Sequence, residues 1–166
     1  MLALNIAHLD EGHSSLIRQV TPGELELENN DVFMSPIDIR FEIDKVGHEL
    51  YIKADIKTKT HLLCDRCSES YTDNLDESVR IVITNDSDLG NPDDDIYPIT
   101  ASSTKVDITE SIKETLLVSL PAKRLCKPDC KGLCPVCGTN LNFETCSCKT
   151  DEIDPRWEAL RKLQEK

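Results

Sequence analysis

The clearest pattern in the chain is an alternation of apolar and polar residues that begins after Pro36. Apolar side chains occupy every second position from there, at Ile37, Ile39, Phe41 and Ile43. The positions between them are all charged. A period of two is typical of a strand that buries one face, so the pattern predicts a strand with its other face in solvent.

Two further segments repeat this alternation, at 52–58 and 71–83, and Gly47 marks a turn before the first of them. Three antiparallel strands in sequence are the simplest interpretation. Nearer the amino terminus, 2–6, 16–20 and 24–28 are candidates for short strands.

The apolar period changes to four in the segment 107–120. Its apolar stripe consists of Ile108, Ile112, Leu116 and Leu120, with Leu117 beside it. This predicts a helix that Asp107 caps and Pro121 ends. A second, short helix is predicted after Asp154-Pro155, on an apolar seam of Trp157, Leu160 and Leu163.

These elements predict an α+β protein, mainly an antiparallel sheet or partial barrel with one long helix. We divide it into a β domain with the helix (1–120), a cysteine-rich zinc-binding segment (121–150) and a carboxy-terminal helix (151–166). A chain of 166 residues is long enough to bury a core without covalent or metal cross-links. Metal should therefore fix a local part of the fold.

The eight cysteines are concentrated, because six of them fall within the 23 residues from Cys126 to Cys148. The other two form Cys64-Asp-Arg-Cys67. Cys-x-x-Cys and Cys-x-Cys spacings are typical of structural zinc sites. A disulfide framework would need an oxidising compartment, and we find no signal-peptide pattern or membrane-spanning run, so we expect a cytoplasmic protein with zinc.

One complete tetrahedral site is available in Cys134, Cys137, Cys146 and Cys148. Gly138 favours it, because a positive backbone angle lets the loop close over a metal. Four cysteines are then left, Cys64, Cys67, Cys126 and Cys130, which either form a second site or stay partly unligated. The expectation is one or two zinc ions. His61 could replace a cysteine, but a lone histidine is more often an ordinary strand residue.

The charge of the chain is uneven. Its formal net charge is −12, and residues 1–120 carry 24 acidic against 10 basic side chains. Residues 121–150 have a formal charge of +3 with neutral thiols, which four zinc-bound thiolates would reduce to about +1. The acidic residues 1–120 repel phosphate, and the cysteine-rich segment with zinc bound would attract it only weakly. A basic protein is therefore a better partner than bare RNA.

Several of these segments resemble one family in the same order. They are the run Leu-Pro-Ala-Lys-Arg-Leu-Cys-Lys-Pro-Asp-Cys-Lys-Gly-Leu-Cys-Pro-Val-Cys-Gly-Thr-Asn-Leu-Asn at 120–142, Cys-Ser-Cys at 146–148, Asp-Pro-Arg-Trp at 154–157, the Cys64–Cys67 pair and the 107–120 helix. Over about 35–160 the chain resembles the YceD family, the large ribosomal RNA subunit accumulation proteins. Members vary in the cysteine-rich segment.

The resemblance implies a bacterial, cytoplasmic, non-enzymatic factor that supports 23S ribosomal RNA accumulation and large-subunit assembly. We expect it to bind a large-subunit precursor through a basic ribosomal protein, with direct RNA contact less favoured and with no membrane or small-molecule substrate. The chain has no catalytic triad order, phosphate-binding glycine loop or His-Glu-x-x-His. The alternatives are a zinc-ribbon nucleic-acid-binding protein and a thiol-disulfide oxidoreductase.

Overall fold

The computed structural model describes residues 1–7, 9–27, 31–84, 95–98 and 103–148. The short helix predicted at 151–166 lies outside these residues. The chain divides into two compact units. The first comprises Met1–Leu62 and Ser70–Ala122, and the second comprises Leu63–Glu69 and Lys123–Lys166.

The first unit is built on a five-stranded sheet and a smaller two-stranded one. The strands are β1 (Ala3–Asn5), β2 (Gly12–Val20), β3 (Ile37–Val46), β4 (Glu49–Leu63), β5 (Ser70–Thr84), β6 (Asp95–Pro98) and β7 (Lys105–Asp107). The large sheet has the order β2-β3-β4-β5-β6, and β1 pairs with β7. The three predicted strands are confirmed as β3, β4 and β5.

Side chains from β3 and β4 supply much of the core because their alternation keeps one face apolar. The antiparallel register pairs Phe41 with Ala54 and Ile39 with Ile56, and all four residues are fully buried. A short connection joins β4 to the neighbouring β5. Parallel neighbours would need a crossover of a dozen or more residues, so these two strands are also antiparallel.

The sheet is open and mixed in the part of the chain that the structure describes. β6 pairs with β5 in parallel, placing Val82 opposite Ile96. β2 and β6 are the two edges and do not pair with each other, so the partial barrel in our prediction is not confirmed. No sequence pattern predicted β6, since four residues are too few to establish an alternation and Pro98 cannot donate a hydrogen bond to a neighbouring strand.

The predicted long helix is present as α1 (Thr109–Val118). Ile112 and Leu116 are fully buried, whereas Leu117 is 39% exposed and contributes less to the core than the pattern implied. The Asp107 carboxylate accepts the Thr109 backbone N–H at 3.0 Å, which satisfies a donor at the helix start. In the described ranges, no helix is long and apolar enough to cross a membrane.

The amino-terminal segment matches two of its three candidate strands, which are β1 and β2. The third candidate, 24–28, was wrong over its described residues, because Pro22–Leu25 forms a 3₁₀ turn instead. Glu24 reaches back to accept the Thr21 backbone N–H at 2.8 Å, and Pro22 supplies a helical φ at the first position. These local interactions outweigh the alternation of Glu and Leu.

The first unit should keep its fold when a cysteine of the second is removed, because its core consists of its own residues. We predict that Cys134→Ser loosens 123–148 and leaves β3 to β5 protected from hydrogen exchange. Ser147→Ala, an exposed change between two cysteines, is the matched control and should alter neither region. Loss of protection throughout the sheet in Cys134→Ser would contradict this prediction.

Candidate metal centres

The second unit joins the loop between β4 and β5 to the cysteine-rich segment that starts at Lys123. All eight cysteines belong to it, and their sulfurs form two groups of four. We call Cys64, Cys67, Cys126 and Cys130 the first cluster, and Cys134, Cys137, Cys146 and Cys148 the second cluster. Within each cluster the sulfurs all lie within 4.8 Å of one another.

Each Cys-x-x-Cys sequence begins the same backbone turn. Cys64 receives an N–H bond from Ser68 at 2.9 Å and donates its own N–H to the Glu69 carbonyl at 2.9 Å. Cys134 makes the equivalent bonds to residues four and five positions later, at 2.9 and 2.8 Å. The fourth residue after the cysteine has φ of +58° in one loop and +75° in the other. Both loops are therefore knuckles that direct two sulfurs to one point.

Sulfur spacing in the first cluster fits a shared metal. The Cys64 and Cys130 sulfurs are 3.7 Å apart, and those of Cys67 and Cys126 are 3.6 Å apart. Four sulfurs bound to one zinc at about 2.3 Å would be about 3.8 Å apart, while a disulfide would bring two of them to about 2.05 Å. The cluster thus has the dimensions of a tetrahedral thiolate site.

Hydrogen bonds lock the two chain segments that contribute to the first cluster. The Asp65 N–H donates to the Arg124 carbonyl at 2.8 Å, and the Arg124 N–H returns a bond to the Asp65 carboxylate at 2.7 Å. Arg66 donates from Nη1 to the Cys130 carbonyl at 2.7 Å. Asn142 Nδ2 lies 3.3 Å from the Cys130 sulfur. Such contacts orient ligands and place donors near sulfurs that become anionic.

Gly132 allows the closest approach between these segments. It has φ of +77°, and a Cβ atom there would lie 3.0 Å from the Arg66 carbonyl oxygen. The same carbonyl accepts the Leu133 N–H at 3.0 Å. A larger residue at position 132 would therefore push the two segments apart.

The second cluster is local in sequence and more exposed. Its knuckle is closed by a bridge between Leu133 and Asn140, and the Cys137 sulfur lies 3.2 Å from the Thr139 hydroxyl. Cys134 is buried, but Cys137 is exposed and the other two cysteines are intermediate. The two clusters have equivalent ligands and different access to solvent.

The thiols of the first cluster differ in acidity. Burial raises the pKa of Cys64, but the backbone N–H groups of Cys126, Arg66 and Cys67 outweigh it and bring that pKa to about 6. Burial and the neighbouring Cys67 thiol raise the pKa of Cys126 to about 12. The cluster therefore pairs an acidic thiol with one that holds its proton strongly, and a divalent cation that binds all four sulfurs would displace such protons.

The second cluster has the same asymmetry. The Thr139 hydroxyl and backbone N–H lower the pKa of Cys137 to about 6. The hydrogen bond to the Cys137 sulfur, burial and the negative charge of Cys137 raise the pKa of Cys148 to about 12. Each cluster thus contains at least one thiol whose pKa lies well below the usual thiol value and one whose pKa lies well above it.

The sequence analysis named all eight cysteines as candidate ligands, and two sites of four were one of its two alternatives. It missed the residues that support the clusters. Ser68 had a signal, since it follows Cys67 as Gly138 follows Cys137. Arg66 had none, because it contacts a residue 64 positions away along the chain. Asn142 had none either, because its contact with Cys130, 12 positions away, depends on how the intervening loop folds. His61 is an exposed β4 residue and is in neither cluster.

A protein-family model matches the larger part of the chain. The family model described as "Large ribosomal RNA subunit accumulation protein YceD" matches residues 52–164, about two thirds of the chain. The chain belongs to the YceD family. The matched region includes every cysteine of both clusters.

The curated relatives are distant in sequence. "Large ribosomal RNA subunit accumulation protein YCED homolog 1, chloroplastic" of Zea mays is 23% identical over 148 residues, which cover 72% of this chain and 50% of that protein. The Arabidopsis thaliana protein of the same name is 23% identical over 158 residues, covering 79% and 49%.

An uncharacterized protein of Mycobacterium tuberculosis is 24% identical over 127 residues, covering 75% of this chain and 60% of its own. The chain spans about half the length of the plant relatives that it matches. No solved structure matches it.

The two knuckles should respond differently to substitution at their left-handed position. Gly138→Ala places a side chain at φ of +75°, which costs about 1–2 kcal/mol and should weaken zinc binding roughly 5- to 30-fold. Ser68→Gly relieves the strain at φ of +58° but increases unfolded-state entropy, so it should be close to neutral. Chelator competition measures both affinities. Equal weakening by the two variants would contradict the shared geometry.

Metal affinity should rise steeply with pH. Between pH 7 and 8 the metal-free first cluster keeps protons on Cys67 and Cys126, whose pKa values are raised, and the second keeps them on Cys146 and Cys148. Bound metal requires thiolates, so each site should release at least two protons and gain roughly 100-fold in affinity per pH unit. Zinc calorimetry in buffers of different ionisation heat counts these protons. A pH-independent affinity would exclude thiolate ligation.

Proposed function

We propose that this YceD-family protein is a non-enzymatic factor that holds two zinc ions and supports 23S ribosomal RNA accumulation during large-subunit assembly. In this proposal it is cytoplasmic and acts by binding a basic ribosomal protein or a precursor that contains one. Membership of the YceD family and the names of the plant relatives support the ribosomal role. The two cysteine clusters support metal binding.

Zinc is the metal that the ligand set favours. Four thiolates suit zinc or an iron–sulfur cluster, and carboxylate-binding metals such as magnesium and calcium prefer oxygen. Sulfur spacings in the first cluster lie near the edge of a ZnS₄ tetrahedron, and the sulfurs of each cluster lie within 4.8 Å of one another, which supports mononuclear sites. Since all four ligands in each cluster come from protein, the ion would have no open position for a substrate and would act structurally.

The charge distribution supports a basic protein as the partner. By sequence, the first unit carries 22 acidic and 9 basic side chains. The described part of the second unit has five basic and four acidic side chains, because Asp65 and Glu69 join the cysteine-rich segment. Two tetrathiolate zinc sites would bring that unit to a net charge of about −3. Each unit is then anionic, which attracts lysine-rich proteins and repels phosphates.

The titration behaviour of the other side chains supports a non-enzymatic role. Shifted pKa values among the described non-cysteine residues have local structural causes. The Thr21 backbone lowers the pKa of Glu24 and the Thr109 hydroxyl lowers that of Asp107. Carboxylates close in sequence or space account for the raised pKa values of Tyr51, Lys53 and Lys113. Each of these shifts is accounted for by neighbouring residues, as in structural caps and ion pairs.

Deleting the gene tests the ribosomal role. We predict a lower ratio of 23S to 16S ribosomal RNA in the deletion strain and its restoration by the wild-type gene. Ser147→Ala should restore the ratio fully, because this exposed side chain is not a ligand. An unchanged ratio in the deletion strain would remove the ribosomal role.

The mode of contact is tested with the purified, zinc-loaded protein. We expect weak binding to naked 23S fragments at physiological salt and capture of a lysine-rich large-subunit protein by cross-linking. Tight binding to RNA that falls steeply with salt would keep the pathway and favour the zinc-ribbon alternative.

A further inference from the structure

We propose that the two clusters are metal sites of different kinds: the first is a closed structural site, and the second is an exchangeable site for a soft divalent ion. This inference rests on the proposed zinc binding and goes beyond it, because it assigns metal exchange to Cys134, Cys137, Cys146 and Cys148. The two sites offer the same four thiolates, so the difference must come from their surroundings.

The first cluster is shielded on nearly all sides. Cys64, Cys67 and Cys130 are only 2–3% exposed, and Cys126 is intermediate. Asn142 covers the Cys130 sulfur and also accepts the Lys131 N–H at 3.0 Å, so its position is fixed. A chelator can reach the Cys64, Cys67 and Cys130 sulfurs only if the segments at 64–67 and 124–130 separate.

That separation would break several interactions together. The paired bonds between Asp65 and Arg124, the Arg66 bond to the Cys130 carbonyl and the Leu133 bond to the Arg66 carbonyl all connect the two segments. Opening of this kind is a cooperative local unfolding event, and its free energy adds to that of metal release. Exchange at the first cluster should therefore be slow.

The second cluster lacks this protection. Cys137 is exposed, and the residues at its knuckle tip, Pro135 and Val136, are exposed too. Cys146 and Cys148 lie in 144–148, a stretch with no assigned helix or strand. A competing ligand can reach the metal from the Cys137 side, and one pair of sulfurs can leave while Cys134 stays in place. Stepwise ligand exchange is then open to this site without opening the first.

Loss of metal from the second site would also be reversible. Its four ligands lie within 15 residues of each other, and the turn bonds of the Cys134 knuckle involve backbone groups of that knuckle alone. The site can therefore reassemble locally, since closing a short loop costs little entropy. These properties distinguish an exchangeable site from one that is merely weak.

The test uses the full chain, purified under reducing conditions. Zinc content is measured first, and two equivalents are expected. A chromogenic chelator in excess should then remove one equivalent quickly and the other at least about tenfold more slowly. N-ethylmaleimide added at the end of the fast phase should label Cys134, Cys137, Cys146 and Cys148 by peptide mass spectrometry. Cadmium supplied before the N-ethylmaleimide should bind the site that zinc has left and block the labelling of these cysteines.

Two substitutions assign the phases without removing a ligand. Asp65→Ala removes the carboxylate that accepts the Arg124 N–H, which loosens the contact between the two segments of the first cluster, and should quicken the slow phase only. Thr139→Val removes the hydroxyl beside Cys137 and should quicken the fast phase only. Because both are outside the ligand set, they separate a change in access from a collapse of the unit.

The outcomes separate this inference from the metal proposal. Less than about half an equivalent of zinc, with disulfides present, would refute zinc binding itself. Two equivalents leaving in a single phase, or early labelling of Cys64, Cys67, Cys126 or Cys130, would leave zinc binding intact and overturn the inequivalence. One equivalent as purified supports the inference if the second cluster is the one labelled and overturns it if the first is.

Discussion

The second unit depends on the approach of four sulfurs from two segments that are far apart in sequence. Cys64 and Cys67 come from the loop between β4 and β5, and Cys126 and Cys130 come from the segment after α1. Four thiolates within 4.8 Å repel one another, so the arrangement is unfavourable when all are ionised and no cation is present. A divalent cation would convert that repulsion into attraction and would couple the folding of the loop to that of the carboxy-terminal segment.

The same knuckle occurs twice, and the sequence satisfies its backbone requirement in two ways. Gly138 adopts the left-handed conformation without steric cost, while Ser68 adopts it as a non-glycine residue. Serine is tolerated in the knuckle that is held by bonds from the other segment. Glycine stands in the exposed knuckle, which is closed by its own turn bonds and the bridge beside it. The strained serine thus occurs in the turn with outside support, and the strain-free glycine occurs in the turn without it.

A structural role for the metal would explain how the proposed function works, because the metal would hold a binding surface in place. The first unit buries its own apolar face through β3, β4 and α1, and it needs no ion to do so. The metal would instead fix a small anionic surface next to exposed apolar side chains such as Val136 and Phe143. Fixed surfaces bind partners with less loss of conformational entropy than mobile segments do. This suits a factor that recognises a basic protein and performs no chemistry on it.

The sequence by itself determined the features that depend on local periodicity and local chelation. The alternation around Phe41 predicted β3, the period of four predicted α1, and the spacing of Cys134 and Cys137 predicted the second cluster. Each of these signals lies within one short segment, where the direction of a side chain follows from the backbone repeat. The YceD resemblance was likewise visible in the residues and is confirmed by the family model.

Only the tertiary structure decided how the four remaining cysteines combine and what surrounds them. Spacing left Cys126 and Cys130 without an assigned partner, because residues 60 positions apart carry no mutual sequence signal. The parallel pairing of β6 and the contact of Asn142 with Cys130 are likewise non-local. Such features follow from the way that packing and hydrogen bonding bring distant segments together, which no local period encodes.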